Sequence, residues 1–153
     1  MENLLALKCE PGKEATLATI VNLDFYINPN NISEYDLGDA WVIFDKKAGE
    51  KNLPMNRFVE MEKSVDILSG IMLILKKDED GNYISIDDET SKKYMKKFKH
   101  PELFFFVGDK LHVVKVRYGT EYILTRTFDL FTNEKDETPD DVVMTTEEEL
   151  NGN

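Results

Sequence analysis

The chain has 153 residues, 41% of them hydrophobic and 32% charged, with a formal net charge of −11 and one cysteine, Cys9. That is apolar material enough for a sizeable core without covalent staples, and a lone cysteine excludes an internal disulfide. The N-terminus carries no secretory apolar stretch and no apolar run approaches the roughly 18 residues of a membrane span, so the expected location is cytoplasmic, with no membrane partner.

The charge is uneven. Beyond Phe131 lie eight acids (Glu134, Asp136, Glu137, Asp140, Asp141, Glu147, Glu148, Glu149) against Lys135, a net of −7, which leaves −4 for residues 1–131. With only Val142, Val143, Met144 and Leu150 to bury, residues 132–153 are expected to form a disordered acidic tail behind a domain of residues 1–131.

LLALKCE and EATLATIV read as strands around Pro11-Gly12, a type II turn signature. The twist of such a turn opposes that of a tight hairpin, so a wider connection is expected. Asn22 to Asp39 gives mixed signals: LDFYI is strand-like, NPNN breaks it, and ISEYDLGD fits a helical turn or a loop. The central stretch, Ala40 to Leu75, reads as strand AWVIFD, loop KKAGEKNLPMNR, a short helix near 60–70 and strand IMLILKK. Trp41, Ile43, Ile71, Leu73 and Leu75 seed the core, each large side chain contributing about 1.5–3 kcal/mol on burial. DEDGN then turns the chain into a short YISI strand. Asp87-Asp88 opens a helix over 88–100 that Pro101 stops, with Tyr94, Met95 and Phe98 inward and Lys92, Lys93, Lys96, Lys97 and Lys99 on a solvated face.

LFFFV reads as a buried strand. LHVVKVRYGTEYILTRTFDLF reads as a hairpin whose Gly119-Thr120 suits a type II′ turn, pairing Val116 with Ile123, Lys115 with Leu124, Val114 with Thr125 and Val113 with Arg126. Short connections favour antiparallel pairing. The expected fold class is therefore α+β, a single domain of mainly antiparallel sheet with one or two short helices.

Catalytic motifs are missing from the sequence. There is no phosphate-cradling glycine loop, no G-x-S-x-G elbow and no acid pair whose spacing singles it out. Asp78, Asp80 and Asn82 suggest a calcium loop, but the required sixth-position glycine is Tyr83 and Gly81 comes too early, so a hairpin turn is expected. Cys9 with His100 or His112 supplies a thiol and a base, yet a cysteine within an apolar strand is ordinarily an inert buried thiol. The expectation is a non-enzyme with no cofactor and no metal.

Two groups are candidate binding residues. Asn56 and Arg57, in a loop ahead of a packed element, can present a guanidinium fork and an amide to a carboxylate or phosphate. The alternative is local: Arg57 pairs with Glu60 or Glu62 while Asn56 caps the next helix. Lys115, Arg117 and Arg126 share a sheet face with Tyr122 and Phe128, a composition that neutralises and stacks a nucleotide and is also ordinary on a solvated sheet.

Glu10-Pro11-Gly12-Lys13, the run Asn52-Leu53-Pro54-Met55-Asn56-Arg57, Asp66-Ile67-Leu68-Ser69-Gly70 and Lys97-Phe98-Lys99-His100-Pro101-Glu102-Leu103-Phe104 together resemble a domain-of-unknown-function family carried by phages, plasmids and conjugative elements of Gram-positive bacteria. The resemblance spans residues 4–107. The family places an amphipathic helix where this chain has Leu23 to Asp39, and the Gly119 hairpin and acidic tail are additions. It implies a small accessory protein of a mobile element, with counter-defence or host takeover as its role, and no reaction. The expected partner is a host protein or a small phosphorylated ligand, without direct nucleic-acid binding. The alternatives are an acidic nucleic-acid mimic that occupies a basic host protein, and an enzyme without a recognisable motif.

Overall fold

A computed structural model describes residues 3–117, 121–129, 135–136 and 142–144. Along the chain come β1 (Leu4–Cys9), β2 (Thr16–Ile20), two 3-10 turns (Leu23–Phe25 and Pro29–Asn31), β3 (Ile32–Asp36), β4 (Trp41–Asp45), β5 (Met55–Glu60), β6 (Val65–Ser69), β7 (Met72–Lys77) and β8 (Tyr83–Ile84). Helix α1 (Asp88–Phe98) follows, then β9 (Glu102–Val107), β10 (Lys110–Arg117), β11 (Glu121–Asp129), β12 (Lys135–Asp136) and β13 (Val142–Met144). The expectation of a mainly antiparallel sheet protein with a short helix holds. The chain divides into two compact units, Met1–Lys99 and His100–Asn153.

The first unit is built on β7. Its sheet runs β2-β1-β7-β4-β3, with β8 alongside β7, and all these pairings are antiparallel. Met72, Leu73, Ile74 and Leu75 are fully buried in succession. A run with no polar alternation means that both faces of the strand are covered. One face carries Leu7, Cys9, Val42, Phe44, Met72 and Ile74 against Tyr94 and Phe98 of α1 and Val59 and Leu68 of β5 and β6. The other carries Ala6, Ile20, Ile43, Leu73 and Leu75 against Leu23 and Ile27. The mixed stretch after Asn22 thus supplies a lid over the second face, its 3-10 turns capped by the Asn22 and Asn28 side chains. Of the expected core residues, Ile43, Leu73 and Leu75 are buried, Ile71 packs at the border of that cluster, and Trp41 stays half-exposed.

Several local expectations hold. Gly12 has φ +75 and the Lys13 amide donates to the Glu10 carbonyl, as a type II turn requires, while β1 and β2 pair only from Lys8 opposite Thr16, a wide connection. Asp87 caps α1 through a hydrogen bond from the Thr90 amide. The DEDGN segment is a hairpin turn in which Asp78 Oδ1 accepts from the Asp80 and Asn82 amides. Lys92 and Lys93 of the helix meet Asp88 and Asp39.

Three expectations need correction. No helix forms near 60–70: β5 and β6 make a hairpin with Glu60 opposite Val65 and the Met61 amide donating to the Ser64 carbonyl. Val65, Ile67 and the β-branched and aromatic residues of β5 suit a pleated surface. LFFFV is not an interior strand, since β9 lies at the edge of the sheet β12-β11-β10-β9 with Leu103, Phe106 and Val107 exposed.

The third correction concerns register. Near its closed end the β10–β11 hairpin pairs Arg117 with Glu121, Val116 with Tyr122, Lys115 with Ile123 and Val114 with Leu124, one residue off the expected pairing. A bulge at Val113/Val114 then restores it, so Val113 does face Arg126. Thr125 is the extra residue, and its hydroxyl donates to the Val113 carbonyl at 3.0 Å. The Gly119-Thr120 turn lies outside the described residues. So does most of the acidic tail, although β12 and β13 within it pair with β11.

Candidate functional site

Asn56 and Arg57 are neither in a loop nor at the surface. They sit in β5, both with no exposed area, and Arg57 heads the largest fully buried side chains. Two consecutive strand residues normally point to opposite faces. Here the pairing with β6 shifts between Met55 and Arg57, so Asn56 is the extra residue of a β-bulge and both side chains turn inward. Asn56 Nδ2 donates to the Cys9 and Gly70 carbonyls, each at 2.7 Å, and its Oδ1 accepts from Arg57 Nη1 at 2.7 Å. Arg57 Nε donates to the Phe98 carbonyl at 3.1 Å, Nη1 to the Glu10 carbonyl at 3.3 Å and Nη2 to the Lys13 carbonyl at 2.7 Å.

The guanidinium fork therefore grips main-chain carbonyls at the end of α1 and in the Pro11-Gly12 turn. The helix cap does not describe this arrangement, because Asn56 lies within β5 and a hairpin follows it. Gly70, whose carbonyl takes the amide, has φ +72, and a Cβ there would stand 3.1 Å from Leu53 Cδ1. All four segments that carry the sequence resemblance contribute to this point. EPGK supplies two acceptors, LPMNR the two donors, DILSG the glycine carbonyl and KFKHP the helix-end carbonyl. The motif is a structural clamp.

Lys115 and Arg117 lie two residues apart on one face of β10, with Lys115 opposite Glu102 on β9 and Arg117 opposite Glu121 on β11. Arg126, opposite Val113, donates from Nη1 to the Thr125 carbonyl at 2.8 Å, bracing the bulge residue. All three are half-buried.

The polar cluster that the sequence reading missed crosses the first unit's sheet. Glu34 of β3, Trp41 of β4, Lys77 of β7 and Tyr83 of β8 occupy one face of four adjacent strands, because Glu34 pairs with Ile43, Trp41 with Leu75 and Lys77 with Tyr83. It extends the Ile43, Leu73 and Leu75 side of the core to the sheet end. The Lys77 ammonium lies 3.9 Å from the Trp41 ring centroid and 5.4 Å from that of Tyr83, and it donates to Glu34 Oε2. The Tyr83 hydroxyl donates to Glu34 Oε1 at 2.5 Å.

Each group is tuned by the others. Burial works against the Glu34 carboxylate, but the Lys77 and Tyr83 hydrogen bonds and the lysine charge outweigh it and hold its pKa below the usual range. Burial, then the bond to Glu34 and its charge, push the Tyr83 phenol well above its ordinary value. All four side chains keep part of their surface in solvent. Trp41 is the only tryptophan in the chain. The signal for this row lay in the pairing of β3, β4, β7 and β8, which join positions 34, 41, 77 and 83 and leave no local spacing to read.

Among the described residues no group of three or more His, Cys, Asp or Glu side chains is placed to hold a metal ion, and no helix is long and apolar enough to cross a membrane. Cys9 is fully buried. No family model matches the chain, and no curated protein or solved structure matches it.

Proposed function

We propose that the chain is a non-catalytic accessory protein of a phage or mobile element that captures a host protein, in the manner of an inhibitor of host defence, and that its contact surface includes the Glu34–Trp41–Lys77–Tyr83 row. The observation that carries this is the row itself. Tryptophan and tyrosine flank a charged pair on four adjacent strands, partly solvated and locked by mutual hydrogen bonds. Protein interfaces concentrate their binding energy in such aromatic anchors, and a rigid sheet limits the side-chain entropy lost on contact. The buried Asn56/Arg57 pair offers no surface for a partner and enters this reading only as scaffold.

The test compares capture of host proteins by the wild type, by Trp41→Ala, and by a full-length variant with the eight acids beyond Phe131 amidated, each at low and raised salt. Exposed charges are screened beyond about 8–10 Å at ordinary ionic strength, whereas an aromatic contact is not. The expected result is a partner retained in salt and by the amidated variant, and lost with Trp41→Ala at unchanged circular dichroism. A partner lost on tail neutralisation and kept by Trp41→Ala would refute the reading and favour acidic mimicry.

A further inference from the structure

In the second unit β9 lies at the edge of its sheet. Strand β9 pairs with β10 on one side, and among the described residues no strand pairs with its other side. Natural edge strands are guarded by lysine, proline, bulges or brevity. From Leu103 to Val107 the sequence is Leu-Phe-Phe-Phe-Val, without a charge, a proline or a glycine. Its pairing with β10 is unbroken from Glu102 opposite Lys115 to Val107 opposite Lys110. Leu103 is 39%, Phe106 56% and Val107 58% exposed.

We propose that this edge is the interface of a homodimer in which β9 of one copy pairs antiparallel with β9 of a second, centred on Phe105. Symmetry selects both occupant and register. A two-fold axis perpendicular to a sheet keeps each residue on its own face, so a residue can oppose only one an even number of positions away. Centring on Phe105 satisfies that rule and places Leu103 opposite Val107, Phe104 opposite Phe106 and Phe105 opposite itself. All five apolar residues then meet apolar partners, and the exposed Leu103 and Val107 cover each other. Sliding the centre to Phe104 sets Glu102 against Phe106, and sliding it to Phe106 sets Gly108 against Phe104. The run is thus self-complementary in one register. Phe105 is held ready for it, its ring stacked on His112 at 5.3 Å between centroids.

Light scattering on the full chain across a dilution series tests the proposal. The wild type is expected at twice the chain mass of 17.7 kDa, dissociating on dilution. Val107→Lys, at an exposed position, is expected to give the monomer mass throughout with an unchanged circular dichroism spectrum. Register is read by oxidation: Phe105→Cys is expected to form a dimer cross-linked through position 105, while Val107→Cys, four strand positions from its copy, is not. A wild type monomeric at every concentration overturns the proposal. So does a dimer that survives the Phe106→Lys, Val107→Lys double variant, or cross-linking at 107 as fast as at 105.

Discussion

The Arg57 clamp and the Lys77 row are both cationic side chains held by several partners in the same unit, and they differ in what surrounds them. Arg57 has no exposed surface and donates to three main-chain carbonyls and to the Asn56 amide oxygen, whereas Lys77 lies between a half-exposed tryptophan and a carboxylate. Arginine suits the first task because its planar fork donates in fixed directions and stays charged. Lysine suits the second because a compact ammonium sits on an aromatic face. The clamp joins chain segments 14 to 47 residues apart, so stability depends on it. The row joins strands already paired by their backbones, so stability depends on it less.

Arg57→Ala should break the comparison most sharply. It leaves the Phe98, Glu10 and Lys13 carbonyls without this donor inside the core, at a cost of about 4 kcal/mol or more and a melting temperature lower by roughly 8–16 °C. Arg57→Lys should recover only part of that, because an ammonium cannot span the same carbonyls. Asn56→Ala should cost about 2–3 kcal/mol by the same measurement, having lost two donors and the acceptor that orients Arg57. Gly70→Ala should cost about 1–3 kcal/mol, since φ +72 disfavours an L residue and the new Cβ presses on Leu53.

The row should respond on a smaller scale. Lys77→Met is expected to change stability by about 1 kcal/mol or less while shifting the emission of the single tryptophan, which lies 3.9 Å from the ammonium. Glu34 sharpens the contrast through pH. Its folded pKa is depressed, so its contribution is present above the ordinary glutamate range and is lost as pH falls through the lower folded value. Tryptophan emission of the wild type is expected to change as Glu34 is protonated, and Lys77→Met is expected to lose that change. At alkaline pH the tyrosines report in the opposite sense. Burial, then the bond to Asp66 and its charge, push Tyr35 up to about 12, and Tyr83 and Tyr94 are raised further by burial and by Glu34 and Asp39. Stability from these phenols is complete below about 10 and is lost as pH rises through the raised values. An absorbance titration of Tyr83→Phe should lose signal only in its late part.

The amino-acid sequence by itself determined the elements whose signals are local. Pro11-Gly12 dictated its turn, Asp87 and Pro101 the limits of α1, and the unbroken apolar run of β7 its place at the centre of the sheet. Only the tertiary structure decided the two bulges and all that follows from them. At Asn56 a single extra residue sent two polar side chains inward together, and at Thr125 another shifted half a hairpin by one position. Strand periodicity cannot announce such an insertion, because the alternation on either side of a bulge is intact and only the partner strand reveals the slip. The same holds for the row at Glu34, Trp41, Lys77 and Tyr83. Those residues are up to 49 positions apart in the chain, and they meet because β4 and β7 pair between them, an event governed by the burial of the sheet rather than by any of the four.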